Sequence, residues 1–238
     1  NIVIFHFWRK QITPQYSERL RRIVQLAKPA DTVADIGADH GYTSRAMLEW
    51  GIARRVIATD ISVASLKKAR ELLAEERLDG RAECRVGDGI SVLRPGEAQG
   101  IVISGMGGPL ILRILQASLP VAQACSWIVI SPQSGVDLVR RALPTLGLGI
   151  EAEDAALDQG KWYPILRLCP GVFESYAEAE FYTGKPERMA DRQRFLAYMR
   201  YLADRQRGAV KKAAGSQGEA AVRRLLAVYE AAAGEELR

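Results

Sequence analysis

Apolar runs and amphipathic segments alternate along the chain from Thr32 to Leu168. The runs are short and rich in valine and isoleucine, which is typical of strands, whereas the segments between them repeat apolar residues at helical spacing. The runs predict strands at residues 32–35, 54–59, 82–86, 100–103, 127–130, 150–156 and 162–168. Because strands that alternate with helices form a mostly parallel sheet, the pattern predicts an α/β fold with seven strands, the last pair joined as a hairpin.

Apolar residues on one face predict the helices between these strands. The predicted helices cover residues 17–27, 42–50, 63–73 and 136–146, with another directly after Pro109. The residues expected to face inward from the helix at 63–73 are Val63, Leu66, Ala69 and Leu73. Gly147 follows the last of these helices, where a glycine commonly ends a helix in the left-handed conformation.

The pattern changes after Pro170-Gly171, where only helical spacing remains. A break at residues 215–218 divides this part into a predicted antiparallel pair of helices. The chain is therefore expected to contain an N-terminal arm at 1–14, a sheet domain at 15–170 and a helical coiled-coil domain at 175–238. The last of these holds twelve Lys/Arg against nine Asp/Glu, which permits contact with RNA; a cap over the sheet domain and a dimer surface are the alternatives.

Composition adds limits to this picture. Hydrophobic residues make up 48% of the 238-residue chain, enough for a substantial core. The net charge is +5, and residues 1–30 hold six Lys/Arg against Glu18 alone, which indicates a polyanionic substrate or a solvated helix face. Three scattered cysteines and two histidines form no metal-ligand pattern, and no apolar stretch is long enough to span a bilayer. We therefore expect a cytoplasmic protein that binds neither a metal nor a membrane, and we expect a monomer.

Residues 32–42 carry the clearest chemical signal. A strand that ends in Asp35 continues through a turn with Gly37, Asp39 and Gly41 into a helix, the ligand-binding corner of an open parallel sheet. A dinucleotide site requires glycine where this chain has Asp39, because a carboxylate repels a pyrophosphate. S-adenosylmethionine has no phosphate and its sulfonium is a cation, so the acid favours this methyl donor. The alternative role of Asp39 is that of a helix N-cap.

Acidic or glycine-rich turns also follow the next three predicted strands. Asp60 ends the second strand, where an acid normally accepts hydrogen bonds from ribose hydroxyls; the alternative is that Asp60 or Ser62 only caps the next helix. Asp88-Gly89 follows the third strand; on its own, Asp-Gly is an ordinary turn pair. The run from Gly105 to Gly108 follows the fourth strand, and its three glycines indicate that a substrate approaches the backbone.

Taken together, these motifs resemble the bacterial tRNA (adenine-N1)-methyltransferase family TrmK. The resemblance rests on Ser17-Glu18-Arg19-Leu20, Ala34-Asp35-Ile36-Gly37-Ala38-Asp39-His40, Gly87-Asp88-Gly89, Gly105-Met106-Gly107-Gly108 and Gly160-Lys161-Trp162-Tyr163. The Asp-Ile-Gly-x-Asp-His and Gly-Met-Gly-Gly runs are specific as a pair. The resemblance implies a class I, Rossmann-like methyltransferase fold with a C-terminal coiled coil. It also implies S-adenosylmethionine as cofactor, tRNA as partner and methylation at N1 of adenine 22.

The resemblance further implies a set of site residues. Asp39 is the family's candidate for the catalytic carboxylate, which would accept a bond from the adenine amine and stabilise the developing positive charge. The implied cofactor-binding residues are Asp35, Gly37, Asp39, His40, Asp60, Ile61, Asp88, Gly89, Gly105 and Met106. The implied substrate-binding residues are Arg19, Gly107, Gly108, Pro132, Gln133, Lys161 and Tyr163. Stacking on the target base is expected from Met106, Pro132, Trp162 or Tyr163.

One motif departs from the family. Ser131-Pro132-Gln133 stands where the family usually has Gln-Pro-Asn, so the polar amide differs in type and position.

Two other functions stay open at this point. One is a methyltransferase that acts on a small molecule or a protein, and the other is a non-catalytic RNA-binding protein that keeps the same fold.

Overall fold

The computed structural model describes residues 16–171 and 175–234, so the predicted arm at 1–14 lies outside the described residues. The strands are β1 (Ala30–Ile36), β2 (Ala53–Asp60), β3 (Ala82–Val86), β4 (Gly100–Ser104), β5 (Trp127–Ser131), β6 (Leu148–Asp158) and β7 (Lys161–Pro170). They form one seven-stranded sheet in the order β3-β2-β1-β4-β5-β7-β6. β1 to β5 are parallel, whereas β7 is antiparallel to both β5 and β6. The predicted mostly parallel sheet is confirmed.

The strand order reverses at β1, which pairs with both β2 and β4. In open α/β sheets the crevice beyond the carboxyl ends of the strands at such a reversal is where ligands bind. The hairpin of β6 and β7 is longer than predicted and turns at Gln159 and Gly160. Both residues have positive φ, 48° and 75°, as a tight hairpin turn requires.

Helices cover both faces of this sheet. The helices before the C-terminal segment are α1 (Glu18–Leu26), α2 (Tyr42–Glu49), α3 (Val63–Glu75), α4 (Gly108–Ala117), α5 (Leu119–Gln123) and α6 (Val136–Ala142). Those after the sheet are α7 (Glu180–Thr183), α8 (Arg192–Ala213) and α9 (Glu219–Ala232). Short 3-10 helices occur at Asp79–Arg81, Leu143–Leu146 and Pro186–Arg188.

Two predictions about these helices are wrong in detail. Val63 was expected to face inward, but it is 63% exposed, because it is the first residue of α3 and lies beyond the layer that buries Leu66 and Leu73. The helix predicted at 136–146 stops at Ala142 and continues as a 3-10 helix that contains Pro144, which has no N–H to continue the α-helical ladder. Gly147 ends it with φ 68°, as predicted.

The core lies in two layers, one on each face of the sheet. Ile101 and Ile103 of β4 pack into the layer under α4 and α6, whereas Val102 packs into the opposite layer with α1 and α2. This alternation follows from the period of two along a strand. At Gly100 a Cβ would lie 2.1 Å from the Trp127 ring, so the glycine makes room for the largest side chain of the core.

The C-terminal helices pack against the sheet domain through α8 and α9. Phe195 and Met199 of α8 are buried together with Ala155 of β6, and Trp162 of β7 stacks on Tyr198 with ring centroids 5.8 Å apart. Trp162 was a candidate for stacking on a substrate base; the structure gives it this packing role instead. The predicted helical hairpin is confirmed, and it covers one end of the sheet domain.

Candidate active site

The turn after β1 is fixed to β2 by backbone hydrogen bonds. The N–H groups of Gly37 and Ala38 both donate to the carbonyl of Thr59, at 2.8 and 2.9 Å, and the N–H of Asp39 donates to Oδ2 of Asp60 at 3.1 Å. Gly37, Asp39 and Gly41 have φ of 70°, 46° and 81°. The two glycines meet this conformation without strain, whereas an aspartate adopts it only with some cost. The sequence thus keeps an acid at a position that would suit glycine.

The Asp39 carboxylate contacts its neighbour and is otherwise open to solvent. Its side chain is 66% exposed, and Oδ2 lies 3.0 Å from Nδ1 of His40. Nε2 of the same ring lies 3.1 Å from Nζ of Lys68 in α3. Because an ammonium can only donate, Nε2 accepts and Nδ1 carries the proton that is donated to Asp39. The alternative prediction, that Asp39 is a helix N-cap, is wrong. The N-cap of α2 is Gly41, and no side chain of the described residues caps that helix.

Asp35 differs from Asp39 in being buried. It is 2% exposed and accepts a hydrogen bond of 2.7 Å from the Ser44 hydroxyl. Burial raises the pKa of the Asp35 carboxyl to about 6, against the opposing effect of the bonds from Ser44. Asp35 therefore supports the turn through its bond with Ser44 of α2. Direct contact between Asp35 and a cofactor stays a prediction.

Asp60 and Ile61 follow β2 and lie beside this turn. Besides the bond from Asp39, Asp60 accepts a bond of 2.8 Å from the N–H of Ser62 through Oδ1. The Ser62 hydroxyl accepts from the N–H of Ser65 and is the N-cap of α3, so capping belongs to Ser62 and leaves Asp60 for another role. Ile61 is 73% exposed, which is unusual for isoleucine.

Asp88 and Gly89 follow β3, next to the same crevice. Asp88 is exposed, and its carbonyl accepts from the Ser91 hydroxyl. Gly89 has φ 61°, and a Cβ there would lie 2.8 Å from Cγ2 of Ile114. The glycine is thus explained by turn conformation and packing, while the Asp88 carboxylate remains open to solvent. We call Asp39, Asp60 and Asp88 the acidic half of the site.

The loop after β4 contacts both the turn at residues 37–41 and the loop after β5. A Cβ on Gly37 would lie 2.3 Å from Cε of Met106, so the methionine side chain, which also packs against the core, covers Gly37. The N–H of Gln133 donates to the carbonyl of Met106 at 2.8 Å, which ties this loop to the one after β5.

Gly107 and Gly108 are accounted for in part by contacts inside the protein. A Cβ on Gly108 would lie 2.5 Å from the carbonyl oxygen of Gly135, and one on Gly107 would lie 3.2 Å from Oγ of Ser134. Gly105 has φ 81°, and no atom of the described residues lies within 4 Å of the position that its Cβ would take. The glycine-rich run therefore serves loop packing as well as any approach of substrate.

Two cationic side chains, those of Arg19 and Lys161, lie near the carboxyl end of β5. Arg19 of α1 donates from Nε to the Ser131 hydroxyl at 3.1 Å and from Nη2 to the Ser131 carbonyl at 2.9 Å. Its guanidinium lies 4.2 Å from the centroid of the Tyr163 ring, and Nζ of Lys161 lies 4.9 Å from the same centroid. We call Arg19, Lys161 and Tyr163 the basic half of the site. Pro132 is buried and Gln133 exposed beside it.

Sequence reasoning missed two of these contacts. Lys68 carried no signal, because a lysine on an amphipathic helix is ordinary. Ser131 was noted only as a departure from a motif, although its carbonyl and hydroxyl anchor Arg19 across 112 positions of sequence. Among the described residues there is no group of three or more His, Cys, Asp or Glu that would hold a metal. No helix within 16–171 or 175–234 has the length and apolar character needed to cross a membrane.

Comparisons with known proteins identify the domain and its fold. A family model described as a methyltransferase domain matches residues 16–166. A tRNA (adenine(22)-N(1))-methyltransferase of Bacillus subtilis (strain 168) is 29% identical over 150 residues, which are 63% of this chain. The match spans 63% of that relative's own length, less than two thirds.

Solved structures share the fold at low sequence identity. The crystal structure of the B. subtilis m1A22 tRNA methyltransferase TrmK has a TM-score of 0.76 at 23% identity, over 93% of this chain and 100% of that one. The structure of M. capricolum TrmK in complex with S-adenosyl-homocysteine has a TM-score of 0.77 at 17% identity, over 92% and 98%. These comparisons confirm the resemblance drawn from the motifs. Because the family model covers more than half of its residues, the chain belongs to the family of methyltransferase domains.

Proposed function

We propose that this protein transfers a methyl group from S-adenosylmethionine to N1 of an adenine in tRNA, at position 22 by its similarity to the B. subtilis relative. The observation that carries the proposal is the exposed Asp39 carboxylate on a left-handed turn at the strand reversal. An acid there is unsuited to a phosphate-bearing cofactor and suited to a reaction in which positive charge develops on a base.

The acidic half fits S-adenosylmethionine. Each oxygen of Asp60 accepts one backbone N–H, and a carboxylate oxygen has a second lone pair that is left for a ribose hydroxyl. Ile61 and Val86, 73% and 49% exposed at the ends of β2 and β3, offer apolar surface to an adenine ring. Gly37, beneath the Met106 side chain, has no side chain of its own that would obstruct the cofactor. When bound, S-adenosylmethionine supplies a methyl carbon activated by its sulfonium.

Asp39 acts on the target base. Adenine N1 has a free lone pair, so no residue has to remove a proton before the attack. The Asp39 carboxylate accepts a hydrogen bond from the exocyclic amine and stabilises the positive charge that grows on the ring. His40 donates to the carboxylate and orients it, and Lys68 orients His40. Fixing the base in line with the methyl carbon is mainly a proximity effect, at best about 7–11 kcal/mol of the barrier.

An RNA substrate accounts for the basic half and for the charge of the helical hairpin. Exposed cations along α8 are Arg192, Arg200, Arg205, Lys211 and Lys212. Lys and Arg that displace counterions from phosphates make RNA affinity fall with rising salt. In a structured RNA the target base must be unstacked, which costs a few kcal/mol that the pocket has to offset.

Three further assignments follow from the same proposal. The sheet domain comprises 15–170 and the coiled-coil domain 175–238, since β7 ends at Pro170 and the named elements described after it are helices. Both halves of the site belong to one chain, which is consistent with a monomer. A tRNA substrate implies a cytoplasmic location.

The test is methyl transfer from a labelled donor to total tRNA, followed by nucleoside analysis. The proposal predicts 1-methyladenosine as the product and loss of label when position 22 of a tRNA transcript is not adenine. Donor binding without dependence on tRNA would support a methyltransferase of another substrate. Binding of tRNA without transfer would support a non-catalytic RNA-binding protein.

A further inference from the structure

We propose that Arg19 and Lys161, arranged on the ring of Tyr163, form a clamp for a backbone phosphate of the RNA strand beside the target nucleotide. This inference rests on the proposed function and specifies how the substrate is held. It separates the role of the basic half from that of the base-binding surface.

Arg19 is held in place by neutral groups. Its Nε and Nη2 donate to the hydroxyl and the carbonyl of Ser131, and its plane lies over Tyr163. No carboxylate within the described residues forms an ion pair with it, although Asp158 acts on it from farther away. One turn along the same helix, Arg22 does have such a partner, Glu18 at 2.6 Å. The same helix thus presents one neutralised arginine and one that is anchored without an acid.

The partial burial of Arg19 makes an anionic ligand favourable. Burial lowers the pKa of its guanidinium, because the charged form loses water without gaining a carboxylate in contact. Such a group gains from an anion that forms charge-assisted hydrogen bonds, and arginine matches the geometry of phosphate oxygens well. Lys161 adds a second charge at the same ring.

A phosphate fits this position better than the base does. Two cations already lie against the ring of Tyr163, so a stacked adenine would compete with them for the ring. A base that becomes positively charged during methyl transfer would also be repelled by Arg19 and Lys161. The acid that suits this charge is Asp39, in the acidic half of the site. The hydrogen bond between Gln133 and Met106 ties the loop beside Ser131, which holds Arg19, to the loop that covers Gly37. The proposal therefore assigns the base to the acidic half and the neighbouring phosphate to the basic half.

The first experiment measures tRNA binding by the full-length protein at several salt concentrations. Arg19→Gln and Lys161→Gln should each reduce the slope of log affinity against log salt by about 1, and should leave donor affinity unchanged. Arg22→Gln, on the same helix, is the control and should leave the slope as it is. Since Arg19→Gln also removes the anchor on Ser131, the Lys161 variant keeps the test valid if the Arg19 variant folds poorly. Slopes equal to wild type in both variants would overturn the clamp.

A second experiment locates the phosphate. Stem–loop RNAs with the target adenosine carry a neutral methylphosphonate at each flanking linkage in turn. Wild-type affinity should fall roughly tenfold at one linkage, and the Lys161→Gln variant should lose much less at that same linkage. Equal losses in wild type and variant at every linkage would contradict the proposal. Absence of tRNA methylation by the wild type would instead refute the proposed function, so the two failures are distinguishable.

Discussion

The acidic and basic halves of the site hold their charges in opposite ways. In the acidic half, carboxylates are fixed by backbone N–H groups and by His40, within a turn that is itself bonded to β2. In the basic half, cations are fixed by a hydroxyl, a carbonyl and an aromatic ring. Within residues 16–171 and 175–234, no strong ion pair of opposite sign cancels a charge of either half. Each half therefore keeps its charge available for a ligand, one for a cationic transition state and the other for a polyanion.

Removing the charge of Asp39 tests the acidic half most strongly. Asp39→Asn keeps the shape, and asparagine tolerates the left-handed φ of 46° at this position. We expect methyl transfer in a single turnover to slow roughly 10²–10³-fold, the typical loss when one transition-state interaction is removed. Binding of tRNA and the melting temperature should change little. Asp39→Ala is a poorer test, because alanine in this conformation costs about 1–2 kcal/mol. Normal transfer in the asparagine variant would remove Asp39 from catalysis.

The buried Asp35 sharpens the comparison, because its charge is not available to a ligand. Its folded-state pKa of about 6 lies above the ordinary value, so the folded protein binds a proton more tightly than the unfolded chain. The contribution of Asp35 to stability therefore falls as pH rises from about 4 to 6 and stays low above that range. Asp35→Asn should raise the free energy of unfolding at pH 8 by roughly 3 kcal/mol, and the gain should shrink towards pH 4. Denaturant unfolding of both proteins at the two pH values measures this; a constant difference would contradict the expectation.

Asp60 provides the test of donor binding in the acidic half. Asp60→Ala removes the acceptor proposed for the ribose hydroxyls and the bonds to Asp39 and Ser62. Donor affinity should weaken by roughly 1–3 kcal/mol, as measured by calorimetry. The salt dependence of tRNA binding should not change, because that belongs to the basic half. Unchanged donor affinity would leave Asp60 with a role in turn geometry alone.

A matched pair of glycines gives the smallest effect. Gly37 and Gly105 both have positive φ, but only at Gly37 would a Cβ meet another atom, the Cε of Met106. Gly105→Ala should cost about 1–2 kcal/mol of stability through backbone strain alone. Gly37→Ala should cost the same and in addition weaken donor binding, and Met106→Ala in the same protein should restore part of that binding. Equal donor affinities in the two glycine variants would show that the contact with Met106 is unimportant.

The strands, the turn at residues 37–41 and the helical hairpin were predictable, because the sequence patterns that indicate them are local. Periodicity, an acid at the end of a strand and positive-φ glycines need only neighbouring residues. The contacts of Arg19 with Ser131 and of Lys68 with His40 were not predictable, because they depend on how distant elements pack. The choice between Trp162 and Tyr163 could have been narrowed from the sequence, because side chains alternate along a strand and adjacent residues face opposite sides.

The ion pair of Arg140 and Glu153 has a consequence for how the whole chain unfolds. Nη2 and Oε2 are 2.6 Å apart in side chains that are 1% and 2% exposed. The backbone that covers them comes from the C-terminal segment: Arg140 also donates to the carbonyl of Phe181, and a Cβ on Gly184 would lie 2.4 Å from Oε2 of Glu153. If residues 180–184 detached, Arg140 would lose the carbonyl of Phe181, and Glu153 would lose the packing of Gly184. We therefore expect residues 180–184 to unfold together with the sheet domain under heat or denaturant, although the sequence pattern assigns them to the C-terminal part of the chain.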